Sequence, residues 1–218
     1  MQIIFRSNTA WLFCAILTLL GFGPGAAKAT AQITYPLEAT YDAEITNTLL
    51  EQTPTEVVLD TSVTGESADA PYGLTNVSIE NYSRIDLATG VATYNSDPAT
   101  FGLENLPFGT FTLFGNGDDQ LFGTNRGTAS LESGSGTITI TGGEGRFIGA
   151  TGTLNLFQTI TSNPDPTGIT APIISPATVS GSFQVVPEPI PNAAVLGIST
   201  IGIGFLLYSR RNSGKRTV

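Results

Sequence analysis

The chain has 218 residues, a formal net charge of −9, no histidine and a single cysteine, Cys14. Without histidine there is no Ser-His-Asp or Cys-His catalytic arrangement, and the usual zinc and copper ligands are missing. Between residues 32 and 186 stand 17 acidic side chains against three basic ones, Arg84, Arg126 and Arg146, a surface that repels phosphate backbones and argues against a nucleic-acid partner.

The first 31 residues read as a secretory signal peptide. Arg6 supplies the positive charge, Ala10 to Leu20 the apolar core, and Ala27-Lys28-Ala29 and Ala29-Thr30-Ala31 two sites with small residues where a signal peptidase needs them. The apolar run is too short to span roughly 30 Å of hydrocarbon at about 1.5 Å per residue. Cleavage is expected to leave Thr30 or Gln32 as the new N-terminus. Cys14 falls inside the removed segment.

Residues 32–185 form the exported domain, and its pattern is β. Leu37, Ala39, Tyr41, Ala43 and Ile45 alternate with Glu38, Thr40, Asp42, Glu44 and Thr46, the signature of a strand with one buried and one wet face. Further strands are expected at 56–63, 76–87, 110–114, 127–132, 137–141, 151–160 and 180–185. Turn chemistry at Thr64-Gly65, Thr89-Gly90, Gly115-Asn116-Gly117 and Ser133-Gly134-Ser135-Gly136 separates them. The proline-containing stretch 163–176 reads as a long loop or irregular edge. Many short strands and no helical period predict an all-β domain, either an antiparallel barrel or a sandwich.

Four motifs bear on chemistry. Residues 115–123, GNGDDQLFG, resemble one calcium-binding nonapeptide, which makes Asp118 and Asp119 weak calcium candidates. The pattern is not repeated, and such sites share each ion between stacked turns, so an acidic hairpin turn is the preferred reading and no metal or cofactor is assigned. The acidic residues alternate with apolar ones, as solvent-facing side chains do, and no carboxylate pair stands out for glycoside hydrolysis. Asn76 and Asn81 each begin an N-x-S sequon, read as chance. The run Gly142 to Gly152 (GGEGRFIGATG) has five glycines and no following helix or lysine, so it is a structural connection, not a phosphate loop; Phe147 within it is expected to plug the core. That run resembles the glycine-rich segment of the allene oxide cyclase and dirigent barrels. The resemblance implies an eight-stranded antiparallel barrel with a cavity for an apolar ligand, and carries over no functional residue.

Residues 186–218 have three parts in order. Pro187-Glu188-Pro189 follows Val186, an apolar stretch runs from 193 to 208, and a basic tail carries Arg210, Arg211, Lys215 and Arg216. The prolines keep the first part extended. The apolar stretch makes a helix of about 24 Å, a marginal single transmembrane span. The basic tail stays cytoplasmic, which places the domain outside. This order resembles the PEP-CTERM sorting signal of Gram-negative bacteria. The resemblance implies an exosortase-type processing enzyme as partner, temporary anchoring in the inner membrane, and a link to exopolysaccharide or biofilm matrix. The expectation is a non-enzymatic cell-surface or extracellular-matrix protein; the alternative is a small-ligand-binding β-barrel with isomerase- or dirigent-like activity. A deep cavity with polar groups in its wall favours the alternative, and a filled core the first reading.

Overall fold

The computed structural model describes residues 32–161, 165 and 167–186. The expected signal peptide, the Pro187-Glu188-Pro189 motif, the apolar stretch and the basic tail lie outside these residues. Among the described residues no helix is long and apolar enough to cross a membrane.

Nine strands follow in chain order: β1 (Ile33–Gln52), β2 (Glu56–Glu66), β3 (Asn76–Asp86), β4 (Ala92–Asn95), β5 (Phe111–Phe114), β6 (Gln120–Ala129), β7 (Ser133–Glu144), β8 (Ala150–Thr159) and β9 (Ile173–Val185). They make one nine-stranded antiparallel sheet in which additional pairings bring its two ends together into a closed ring. The first half of β1 pairs with β9, from Ile33↔Val185 to Ile45↔Ile173, and its second half pairs with β2, from Asp42↔Glu66 to Gln52↔Val57. This sliding handover is the register stagger that a closed sheet requires.

β4 and β5 share one position in the ring. β4 pairs with Tyr82–Ile85 of β3 and Arg126–Ala129 of β6; β5 pairs with Asn76–Ile79 and Gln120–Gly123 of the same two strands. Between them the chain leaves the sheet after Ser96 and returns at Thr110, its base closed by the Gly109 N–H donating to the Ser96 carbonyl (2.7 Å) and the Glu80 N–H donating to the Thr110 carbonyl (2.8 Å). A Cβ on Gly109 would collide with the Glu80 carbonyl, so only glycine closes this base. The excursion folds over the outer face, where Phe101 packs with Val58 and Tyr82 in a small apolar cluster. The Tyr82 hydroxyl donates to the Pro107 carbonyl (2.8 Å), and Arg84 lies over the Phe101 ring (5.4 Å) and pairs with Glu56 (3.4 Å).

The main core is the ring's interior. The odd-numbered residues of β1 from Leu37 to Ile45 are buried and Phe147 is fully buried, as the alternation and the glycine-rich run predict. Several strand limits differ from expectation. Residues 133–136, expected as a turn, lie inside β7, residues 173–176, expected as loop or irregular edge, open β9, Gly65 lies inside β2, and β4 and most of β6 were not anticipated. Both proline positions obey an edge rule. Pro36 pairs with Ser182 at a point the β2 ladder does not reach, and Pro176 pairs with Asp42 one step beyond the last β8 pair, Gln158↔Ala177. Gln32 and Val186, the chain ends flanking this domain, leave from the same end of the ring.

Candidate ligand cavity

Strand alternation decides which side chains enter the ring, and the two ends of the interior receive different ones. At the end where the chain enters and leaves, the residues are aromatic. The Tyr35 and Phe183 rings stack with centroids 5.2 Å apart, and Phe147 meets both edge-on at 5.4 and 5.2 Å. Tyr72 adds a fourth ring, edge-on to Tyr35 at 5.4 Å. Its backbone is left-handed, with φ of 63°, the one non-glycine residue so placed among those described. Its hydroxyl donates to the Pro36 carbonyl (2.8 Å), while its own carbonyl accepts from Arg146 Nη2 (2.9 Å).

Arg146 also clasps Asp119 of the turn before β6. Its backbone N–H donates to Oδ1 and its Nε to Oδ2, each at 2.7 Å. The backbone donation, followed by that from the side chain, holds the Asp119 carboxyl below the usual carboxylate range. Both oxygens of this weak calcium candidate are thus engaged by an arginine, and Asp118 beside it is exposed. Among the described residues no group of three His, Cys, Asp or Glu side chains is placed to hold a metal ion. The other sequence-derived site residues, Pro187, Glu188, Pro189, Arg210, Arg211, Lys215 and Arg216, fall outside the described part of the chain.

The opposite half of the ring is open. A cavity of about 250 Å³ runs inward from its mouth. Leu59, Val63, Ile79, Leu156 and Ile173 line it with apolar surface; Asn81 and Ser83 of β3, Tyr94 of β4 and Asn125 of β6 add polar groups, as do Asn47, Thr61 and Gln158 from β1, β2 and β8. The strand phase that buries Val77 and Ile79 carries Asn81 and Ser83 inward next, and the phase that buries Leu121 carries Asn125. The Asn125 backbone N–H donates to Ser96 Oγ (2.9 Å), and the Ser96 hydroxyl donates to Asn125 Oδ1 (2.9 Å). That oxygen also accepts from Asn81 Nδ2 (3.3 Å). The Asn81 amide is thereby oriented, and its Oδ1 is left without a partner among the described residues.

Tyr94, opposite Ser83 across the β3–β4 ladder, reaches over β6 towards β7. Gly127 and Gly136 face each other in the β6–β7 ladder, and a Cβ on either would run into the Tyr94 hydroxyl. The hydroxyl has no partner among the described residues. Burial pushes the phenol pKa up to about 12, so at neutral pH Tyr94 is a neutral donor. It is the sole ionisable side chain among the described lining residues.

At the mouth, the Asp165 carboxylate gathers a tight turn. Oδ1 accepts from the Thr167 N–H (2.9 Å) and Oδ2 from the Thr170 N–H (2.6 Å), and both threonine hydroxyls donate as well. The hydroxyls of Thr167 and Thr170 lead in holding this carboxyl far below the usual range. Asn47 secures the turn to β1, its Nδ2 donating to the Thr167 carbonyl (2.6 Å) and its N–H to the Gly168 carbonyl (3.0 Å).

Sequence reading passed over Asn81, Tyr94 and Asn125. Asn81 was noticed only as a sequon; in the fold its side chain is 4% exposed and faces inward, so it cannot carry a glycan in this state. The signal that would have found these residues is an inward strand phase turning from apolar to polar halfway along. No family model matches the chain, and neither does any curated protein or any solved structure.

Proposed function

We propose that this chain is an exported, non-enzymatic protein of the cell surface or matrix, delivered through a PEP-CTERM signal, whose β domain is an allene oxide cyclase-like barrel that binds a small molecule in its open half. The observation that carries the binding role is the cavity, whose lining residues include three buried polar atoms without partners among the described residues, Asn47 Oδ1, Asn81 Oδ1 and the Tyr94 hydroxyl. Buried polar atoms are seldom left unpaired, and a concave apolar site with a few convergent polar groups is the usual form of a ligand pocket. The barrel reading draws support from the closed antiparallel ring, in which β4 and β5 fill one position and leave eight in all.

Binding is favoured over isomerase-like catalysis because proton transfer near neutral pH needs a group poised there. Tyr94, the one ionisable lining residue described, stays protonated well above that range. The sorting half of the proposal rests on Pro187-Glu188-Pro189, the apolar stretch and the basic tail.

Native mass spectrometry of protein recovered from membrane and culture-medium fractions tests both halves. The expected result is loss of residues 1–31, a shorter C-terminus in the medium form, and a retained noncovalent small molecule. If Met1 is retained, or Glu188→Ala is processed and distributed like the parent, the sorting reading is lost. An adduct-free protein that takes up no small apolar probe overturns the binding role.

A further inference from the structure

We infer that the cavity selects an uncharged amphiphile bearing a hydrogen-bond donor, a small alcohol-like molecule whose donor group meets Asn81 Oδ1 beside the Tyr94 hydroxyl while its apolar body lies against Leu59, Ile79 and Leu156. The inference rests on the cavity being a binding site and specifies what that site takes.

Three observations fix the class. The first is the hydrogen-bond arrangement: Ser96 Oγ accepts from the Asn125 N–H and donates to Asn125 Oδ1, Asn81 Nδ2 donates to the same oxygen, and the atom left over, Asn81 Oδ1, is an acceptor that suits a donating ligand. The Tyr94 hydroxyl can serve as either donor or acceptor, and it suits a hydroxyl that does both. Next, no Asp, Glu, Lys or Arg stands among the described lining residues. Arg84 is engaged outside the ring with Glu56 and the Phe101 carbonyl, and Arg126, on the outward phase of β6, is exposed. A carboxylate or ammonium entering the cavity would therefore lose its hydration with no counter-charge, a cost of several kcal/mol even after relaxation. Size is the third: a cavity of about 250 Å³, open at one end, has room for the body of a small molecule.

Four probes of matched size separate the possibilities on the full-length chain held in amphipol: 1-hexanol, its donor-free isomer 1-methoxypentane, hexanoate and hexylammonium. Binding is read by saturation-transfer NMR and by shifts of the asparagine side-chain amides. Leu156→Phe, which narrows the cavity, serves as the blocked control, with Ile173→Phe in its place if that variant does not fold. The alcohol is expected to bind at least tenfold more tightly than the ether and either ion. Asn81→Leu, which leaves Ser96 still donating to Asn125, is expected to bring alcohol and ether within about threefold of each other. If ether and alcohol bind alike in the parent and both are lost in the blocked control, the cavity is a binding site and the donor inference is wrong. Tighter binding of hexanoate or hexylammonium overturns the requirement for a neutral ligand. If no probe distinguishes the parent from the blocked control, the binding role and the inference fall together.

Discussion

The two halves of the ring's interior are walled by strands of the same sheet, yet one is solid and the other hollow. In the solid half Tyr35, Tyr72, Phe147 and Phe183 interlock, and the polar atoms that close it, on Arg146, Asp119 and the Tyr72 carbonyl, all have partners. In the hollow half the same inward phase carries Asn81, Ser83 and Asn125, and Gly127 and Gly136 leave room that one ring, Tyr94, partly occupies. A ring of eight positions has an interior just wide enough for large side chains to fill. Small and polar residues at this end are therefore enough to open space. The difference teaches that filling, and with it stability, is a local choice of side chains made on a common backbone.

Mutations at each end should break or sharpen this contrast. Phe147→Ala removes the ring that touches Tyr35 and Phe183, and is expected to cost about 3–5 kcal/mol in urea unfolding. A loss below about 1 kcal/mol would mean the solid half is not the keystone described. Gly136→Ala, in the hollow half, forces a methyl against the Tyr94 hydroxyl and the Arg126 carbonyl and should cost roughly 1–3 kcal/mol. Adding Tyr94→Phe to it should restore part of that loss, which a double-mutant cycle reads directly.

Tyr94→Phe alone removes a buried hydroxyl without a partner among the described residues. The ligand-free protein should gain up to about 1 kcal/mol, while alcohol binding weakens; destabilisation instead would show that the hydroxyl already has a partner. The smallest effect is with pH. Asp119 and Asp165 both have folded pKa values below the ordinary carboxylate range. Groups shifted down give stability that is present above their unfolded pKa of about 3.9 and lost as pH falls through the folded value. The urea midpoint should stay level with respect to these groups from pH 7 to 5 and fall below about 4, and Asp119→Asn should shrink that fall.

The solid half was the more legible in sequence. The β1 alternation stated its buried face outright, and Phe147 stood in a glycine-rich run that left it one plausible destination. The hollow half was hidden by the features that create it. Glycines at 134 and 136 read as a turn because glycine usually marks one; here Gly136 makes way for a side chain from β4, a tertiary fact no local window contains. β4 has only four residues and is separated from its collinear partner β5 by a surface excursion, so no alternation can accumulate. Pro172 and Pro176 disguised the start of β9, because the ladder with β8 ends at Gln158↔Ala177, one step short of Pro176, and that limit is set by tertiary register. The orphaned acceptor at Asn81 depends on Asn125 of β6 and on Ser96 just beyond β4, and could not be seen before those segments were placed side by side.

The seam between β1 and β9 carries a consequence for timing. These are the first and last strands of the domain, paired along thirteen positions from Ile33↔Val185 to Ile45↔Ile173. A chain delivered N-terminus first, whether from a ribosome or through a translocation channel, holds β1 with one edge unpaired until β9 arrives. Contacts so distant in sequence are slow to form, which favours a long-lived open chain while delivery is under way. A product truncated before Ile173 would never close, and would present the edges of β1 and β8 to any strand nearby.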